Sequence, residues 1–133
     1  MRQRQPVLTT SRLDLIPMTT ALAAAERAGA PILAAALHAQ IPADWPPEFH
    51  EADELERMER LLRDPQNDGW ALYYLIRRAP ARALVGVAGH SGRPTADRVV
   101  EIGYSVVRSH RRLGLATEAV TGLPERAGRQ ELR

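Results

Sequence analysis

Residues Arg111-Arg112-Leu113-Gly114-Leu115-Ala116-Thr117 have the types and spacing of an anion site: two guanidinium groups, small residues at Gly114 and Ala116, then a hydroxyl. A β-like run precedes them and a helix-like run follows. Where a strand gives way to a helix, the first-turn N–H groups lack intrahelical partners and converge, with the positive end of the helix dipole behind them. A pyrophosphate suits such a cradle. Gly114 lets the backbone approach the ligand with no Cβ between them, and Arg111 and Arg112 add charge at the mouth. A plain strand-to-helix turn needs neither the arginine pair nor small residues at both positions. A P-loop is disfavoured, because no Lys-Ser or Lys-Thr follows the glycine and the chain has no lysine at all.

In the strand ahead of this turn, period two places Val100, Ile102, Tyr104 and Val106 on one face and Glu101, Gly103, Ser105 and Val107 on the other. The second face is small and polar, and Glu101 is its one carboxylate. Beside Gly103 and Ser105 in a cleft, Glu101 is a candidate general base. On an open hairpin it is a solvated glutamate paired with an arginine such as Arg98.

Arg12 to Ile16 alternate around Leu13 and Leu15 and stop at Pro17, which predicts an edge or near-edge strand. Thr19 or Thr20 caps an alanine-rich helix over 21–28, Gly29 breaks it, and Pro31 starts a second piece through Leu37. Residues 41–47 hold three prolines and Trp45, which predicts a loop. Phe49, Ala52, Leu55, Met58 and Leu62 form a stripe at helical spacing, closed by Asp64-Pro65. Apolar runs over 70–76, 83–88 and 99–107, separated by turn residues, predict a three-stranded meander. Helical residues resume at Leu115, but Gly122 and Pro124 keep that helix short. The order is that of an α+β, or mixed α/β, fold.

Composition narrows the chemistry. With 133 residues, 44% hydrophobic, the chain has room for one domain over 1–133 that buries roughly two thirds of its unfolded surface. The absence of cysteine removes disulfide, thiolate-nucleophile and cysteine-zinc readings together. His38, His50, His90 and His110 are dispersed and lack metal-ligand spacing, so no metal is expected. A net charge of +2 without a phosphate-tracking stripe argues against nucleic acid, and an anionic small ligand accounts for the arginines of the last quarter. No apolar run approaches the roughly 20 residues of a membrane span, and the first residues have no signal-peptide block, so a cytoplasmic protein is expected.

The spacing Arg-x-x-Gly-x-Ala at 111–116 is joined by four other segments: Glu101-Ile102-Gly103-Tyr104-Ser105-Val106, Leu8-Thr9-Thr10-Ser11-Arg12-Leu13-Asp14-Leu15, Ile41-Pro42-Ala43-Asp44-Trp45-Pro46-Pro47-Glu48, and Ala83-Leu84-Val85-Gly86. In this order they resemble the GNAT N-acetyltransferase superfamily, and within it the branch of ribosomal-protein N-terminal acetyltransferases. The likeness runs over most of the chain.

The resemblance implies a GNAT-like fold: an N-terminal strand, a helix pair, a three-stranded antiparallel meander, then a helix opened by the pyrophosphate loop. It implies acetyl-CoA as co-substrate, with Arg111, Arg112, Leu113, Gly114, Leu115, Ala116 and Thr117 on the pyrophosphate. The backbone of Tyr104, Ser105 and Val106 would meet the pantetheine arm, and a free N–H there would polarise the thioester carbonyl. The acceptor would be a primary amine, of a protein N-terminus or a small molecule, with Glu101 as the candidate catalytic carboxylate. Trp45 and Phe49 fall in the loop that overhangs the acceptor site in the family. The alternative is a non-catalytic CoA-binding or oligomer-forming remnant. The pattern also predicts that the chain stops before the family's next strand, a further helix and a closing hairpin. Val107 would then be a bare sheet edge, and a homo-oligomer would cover it.

Overall fold

The computed structural model describes residues 7–124 and 129–132. β1 (Leu8–Thr9) and β2 (Leu13–Pro17) form a hairpin, and Pro17 ends it as the alternation predicts. Thr19 caps α1 (Thr20–Ala28), its Oγ1 accepting the Leu22 N–H at 3.1 Å. Gly29 separates α1 from α2 (Ala30–Leu37), so the predicted broken helix is two short ones. α3 (Ala52–Leu62) follows the proline-rich loop. The meander is β3 (Leu72–Arg77), β4 (Ala83–His90) and β5 (Val99–Val106), each antiparallel to the one before. α4 (Leu115–Gly122) and β6 (Arg129–Leu132) complete the order.

One mixed sheet runs β1-β2-β3-β4-β5-β6, and alternation along its strands feeds two cores. On one face Tyr74, Ile76, Leu84 and Val87 pack against Ala23, Leu33, Leu37, Leu55, Met58 and Leu62 of α1, α2 and α3. On the other, Leu13, Leu15, Tyr73, Leu75, Val85, Ile102 and Val106 pack against Leu115, Ala119 and Leu123. β3 and β4 are covered on both faces, which is why they read as continuous apolar runs. Leu115 is the anchor of α4, so truncating it to alanine costs about 2–5 kcal/mol and releases the loop that precedes it.

The shortened fold stands, but one part of the C-terminal expectation needs correcting, the next strand. β6 stands where the next strand was expected to be missing, parallel to β5 from Val99↔Arg129 to Ile102↔Leu132. A run of Arg-Gln-Glu-Leu has no apolar alternation, so its pairing leaves no periodic trace in the sequence. Val107 is not a bare edge: it is buried, and its N–H donates to the Val85 carbonyl at 2.8 Å. Among the described residues the open stretch lies further in, between the end of the β5–β6 pairing at Ile102 and the end of β5 at Val106.

Candidate active site

Alternation of backbone direction decides which groups of β5 face that open stretch. Residues on alternate positions of an antiparallel strand send both N–H and C=O to the same side. The Glu101 carbonyl accepts the Ser91 N–H and the Val107 N–H reaches Val85, so the odd-numbered residues bond toward β4. Tyr104 and Val106 therefore point their backbone groups away from β4, beyond the last β6 partner. Among the described residues only the Val106 carbonyl has a partner there, the Arg111 Nε at 3.0 Å.

The close approach of β4 to β5 at this point depends on Gly86. A Cβ on Gly86 would lie 2.3 Å from the Ser105 carbonyl oxygen and 3.0 Å from the Val106 Cα, so no side chain fits without moving β5.

The turn after β5 is built by a short 3-10 segment, Arg108–His110, and then Arg111 to Gly114. Arg112 and Gly114 both adopt left-handed backbone, at φ 65° and 76°. For glycine this is cheap, whereas for arginine it costs roughly 1 kcal/mol. Among the described residues, no backbone acceptor is taken by the N–H groups of Arg112, Leu113, Gly114, Leu115, Ala116 or Thr117, and the first such bond of α4 is Glu118 N–H to the Gly114 carbonyl at 3.0 Å. These are the free first-turn donors expected from the sequence.

The two arginines have different surroundings. Arg111 folds back on the Val106 carbonyl, with Nη2 3.7 Å from Glu48. Arg112 is exposed and has no ion pair among the described residues. Thr117 is exposed on the first turn of α4, and Leu113 is 42% exposed.

A clamp from the start of the chain holds this turn. Arg12 donates from Nη1 to the Leu113 carbonyl at 2.8 Å and from Nε to Glu118 Oε1 at 2.7 Å. Glu118 Oε2 also accepts the Arg12 N–H at 2.7 Å and the Thr10 hydroxyl at 2.5 Å. Desolvation opposes ionisation of Glu118, but these donors outweigh it and hold its carboxyl below the usual range. Asp44 performs a similar task from the proline-rich loop, accepting the Ser109 N–H at 2.9 Å and its hydroxyl at 3.1 Å, and is lowered chiefly by the backbone bond.

Two clefts meet over β5. One, of about 430 Å³, is lined by Tyr104, Ser105, Val106, Arg111, Arg112, Gly114, Leu115, Ala116 and Thr117, with Glu48, Phe49 and His110 on its other wall. The second, of about 300 Å³, is lined by Phe49, Glu54, Leu72, Val87, Ser91, Gly103, Tyr104 and Ser105. Phe49, Tyr104 and Ser105 belong to both, so the clefts are continuous. Of the residues singled out for a pyrophosphate and a pantetheine arm, all but Leu113 line the first cleft.

Glu101 is the exception among the sequence candidates. It is exposed, its ladder position faces Glu131 of β6, and it lines neither cleft. Its side of the strand is the small polar face, but the clefts begin only at Gly103, two residues nearer the strand's end. The carboxylate that does reach the second cleft is Glu54 of α3, which the sequence reading did not single out. Its one signal there was position: a first-turn acid with an arginine at i+3.

Trp45 and Phe49, paired in the sequence reading, separate. Trp45 packs on the helical core, with its ring 5.7 Å from His50 at 63°. Phe49 lies outside α3, at φ 66°, and is 79% exposed over both clefts. His90 is fully buried at the end of β4 against Trp70. Among the described residues there is no cluster of metal-ligating side chains, and no helix is long and apolar enough to cross a membrane.

Comparison with known proteins agrees with this architecture. The acetyltransferase (GNAT) domain model matches residues 12–132. The chain belongs to the GNAT acetyltransferase family. Its fold is similar to that of a Bordetella pertussis protein assigned to the GnaT family, with TM-score 0.52 and 22% identity over 90% of this chain and 70% of the other. It is similar to the microcin C7 self-immunity acetyltransferase MccE, solved with acetyl-CoA and AMP, with TM-score 0.54 and 17% identity over 90% of this chain and 66% of that one. It is also similar to RimL, the ribosomal L7/L12 α-N-protein acetyltransferase solved with coenzyme A, with TM-score 0.55 and 16% identity over 89% and 65%. The chain thus spans about two thirds of the length of these structures. Among curated proteins none matches it significantly.

Proposed function

We propose that this chain transfers an acetyl group from acetyl-CoA to a primary amine, of a small molecule or a peptide N-terminus. The observation that carries the reading is the pair of joined clefts. One presents unpartnered backbone donors at 112–117 and an open strand edge, the other a compact pocket that ends at the same two residues, Tyr104 and Ser105.

The residues present suit the co-substrate. The first-turn amides of α4 and the Arg112 guanidinium would hold the pyrophosphate. The outward N–H groups of Tyr104 and Val106 would meet the pantetheine and the thioester oxygen, as a third strand would have met them. Clamping by Arg12 and Asp44 keeps those donors in place before the ligand arrives, which lowers the ordering cost of binding. In the reaction the amine nitrogen attacks the thioester carbonyl carbon, a C–N bond forms, the C–S bond breaks, the amine gives up a proton and the thiolate takes one. Positioning of the amine against the polarised carbonyl supplies most of the acceleration.

Calorimetric titration with acetyl-CoA, with ATP and inorganic phosphate as controls, tests the ligand class. A free-thiol assay over a panel of amines then tests transfer. Binding of acetyl-CoA together with thiol release that depends on the amine supports the proposal. Binding without turnover on any amine marks the chain as a CoA-binding remnant. Absence of binding removes both readings. The proposed location is the cytoplasm, where acetyl-CoA and amine acceptors are both available.

A further inference from the structure

Resting on that reading, we infer that His50 is the positioning residue that holds Phe49 over the join of the two clefts, through a buried hydrogen-bond network with Glu26 and Tyr74. Phe49 needs such a hold. Its ring is exposed and its backbone is left-handed, at φ 66°, a conformation that bulky residues seldom take and that persists only where neighbours impose it. Burial along the chain shows where the hold lies. Residues 47–50 form one turn: Pro47 and His50 at its ends are buried, and Glu48 and Phe49 between them are exposed. The His50 N–H closes the turn by donating to the Pro47 carbonyl at 3.2 Å. The tip faces the site, with Phe49 lining both clefts and Glu48 standing 3.7 Å from the Arg111 guanidinium.

The His50 end carries polar atoms into the interior and must find partners there. They come from two other elements. The His50 Nε2 lies 2.9 Å from Glu26 Oε2 of α1, and the Tyr74 hydroxyl of β3 donates to Glu26 Oε1 at 2.7 Å. A carboxylate only accepts, so Nε2 carries the hydrogen and donates. Burial first, then the Glu26 charge, push the Tyr74 hydroxyl well above the usual phenol range, so it stays a donor. The side chains of His50 and Glu26 are 0% and 6% exposed and Tyr74 is fully buried, so water does not compete for these bonds.

The ring has this one polar anchor. His50 Nδ1 is buried with no partner among the described residues, and Trp45 meets the ring edge-on. His50 lines neither cleft, so it acts on a ligand only through the residue beside it. Removing the bond to Glu26 therefore releases the end of the turn that sets Phe49. An acetyl group delivered along the first cleft arrives at Tyr104 and Ser105, walls that Phe49 shares in both clefts, so the position of this ring decides how the join is covered.

The chain has a single phenylalanine, so the test reads the ring signals of phenylalanine-labelled protein through an acetyl-CoA titration. In wild type the ring is expected to give one ordered set of signals that moves saturably, with the same Kd as the amides of 112–117. His50→Leu keeps the bulk and removes the donor. Its ring then divides its time among positions, and the acetyl-CoA-induced shift should fall about two-fold or more. The Kd read at 112–117 should stay within about three-fold of wild type, because the exposed Glu48–Arg111 contact is weak. His50→Gln, whose amide can donate to Glu26, should restore the wild-type ring response. If His50→Leu does not fold, Tyr74→Phe, which removes only the hydroxyl behind Glu26, is read in its place and should lower the response in the same direction. An undiminished ring response in the variant read, a glutamine variant no better than the leucine one, or a wild-type ring that ignores acetyl-CoA while 112–117 respond, overturns the inference. Loss of every acetyl-CoA shift in wild type, at 112–117 as at Phe49, would instead bring down the transferase reading beneath it.

Discussion

The clamp between Arg12 and Glu118 joins the stability of the fold to the shape of the loop, and replacing Glu118 with glutamine separates its charge from its volume. The carboxylate accepts three donors: the Arg12 N–H and the Thr10 hydroxyl on one oxygen, the Arg12 Nε on the other. A glutamine has one acceptor oxygen, so in either orientation its amide nitrogen meets a donor. Leaving a donor unpaired in a buried setting costs roughly 1–3 kcal/mol. The Arg12 side chain is 40% exposed and Glu118 is 16% exposed, so water replaces part of the guanidinium contact and about 1–2 kcal/mol is the expected loss. In urea, with m of roughly 1–3 kcal/mol/M, the midpoint should fall by about 0.5–1 M with m unchanged. Because Arg12 also donates to the Leu113 carbonyl, acetyl-CoA affinity should drop about three- to ten-fold in the same variant. A double-mutant cycle with Arg12→Ala should show coupling in both quantities. An unchanged midpoint, or lost stability with full acetyl-CoA affinity, would refute the idea that this clamp shapes the loop.

Other outcomes follow from the same geometry. Gly86→Ala should cost about 1–3 kcal/mol by overpacking against the β5 backbone and weaken acetyl-CoA binding, read by urea titration and calorimetry. Arg112→Gly removes a left-handed arginine, so stability should hold or rise by up to about 1 kcal/mol while acetyl-CoA affinity falls and loses salt dependence. Acid stability should track the depressed carboxylates. Burial opposes ionisation of Asp14 but the Arg82 and Arg78 hydrogen bonds prevail, and Glu118 and Asp44 are likewise lowered. A carboxylate lowered by folding stabilises fully above its unfolded pKa of about 4 and loses that contribution as pH falls through its folded value. Stability should thus be flat from neutral pH to about 5 and decline below about 4, less steeply in Glu118→Gln, as urea melts across pH will show.

How much of this was legible in the sequence depends on whether a signal was local. The Gly29 break, the Thr19 cap, the meander and the small-residue loop at Gly114 and Ala116 each rest on neighbours within a few positions, and each stands in the structure. Phe49 fits the helical stripe by spacing, yet α3 begins at Ala52 and the ring turns out over the clefts. Its period alone could not tell the last residue of a loop from the first of a helix. β6 has no alternation to read, and its place comes only from a parallel partner some thirty residues earlier. Long-range pairs were the other blind spot. Nothing local ties Arg12 to Glu118, or brings Glu54 of α3 to the same cleft as Ser105, because those meetings are made by tertiary packing. Glu101 shows the converse: strand period put it on the correct face but could not say where along the strand the cleft begins.

On the proposed function, the amides at 112–117 and the outward N–H groups of Tyr104 and Val106 receive acetyl-CoA. Backbone amide shifts of the isotopically labelled chain, followed through an acetyl-CoA titration, test it residue by residue. Saturable shifts are expected to concentrate at Arg112 to Thr117, Tyr104 and Val106, with little change across α1 and α2. Saturable shifts that leave those amides unmoved, or that gather on the opposite end of the sheet, would contradict it.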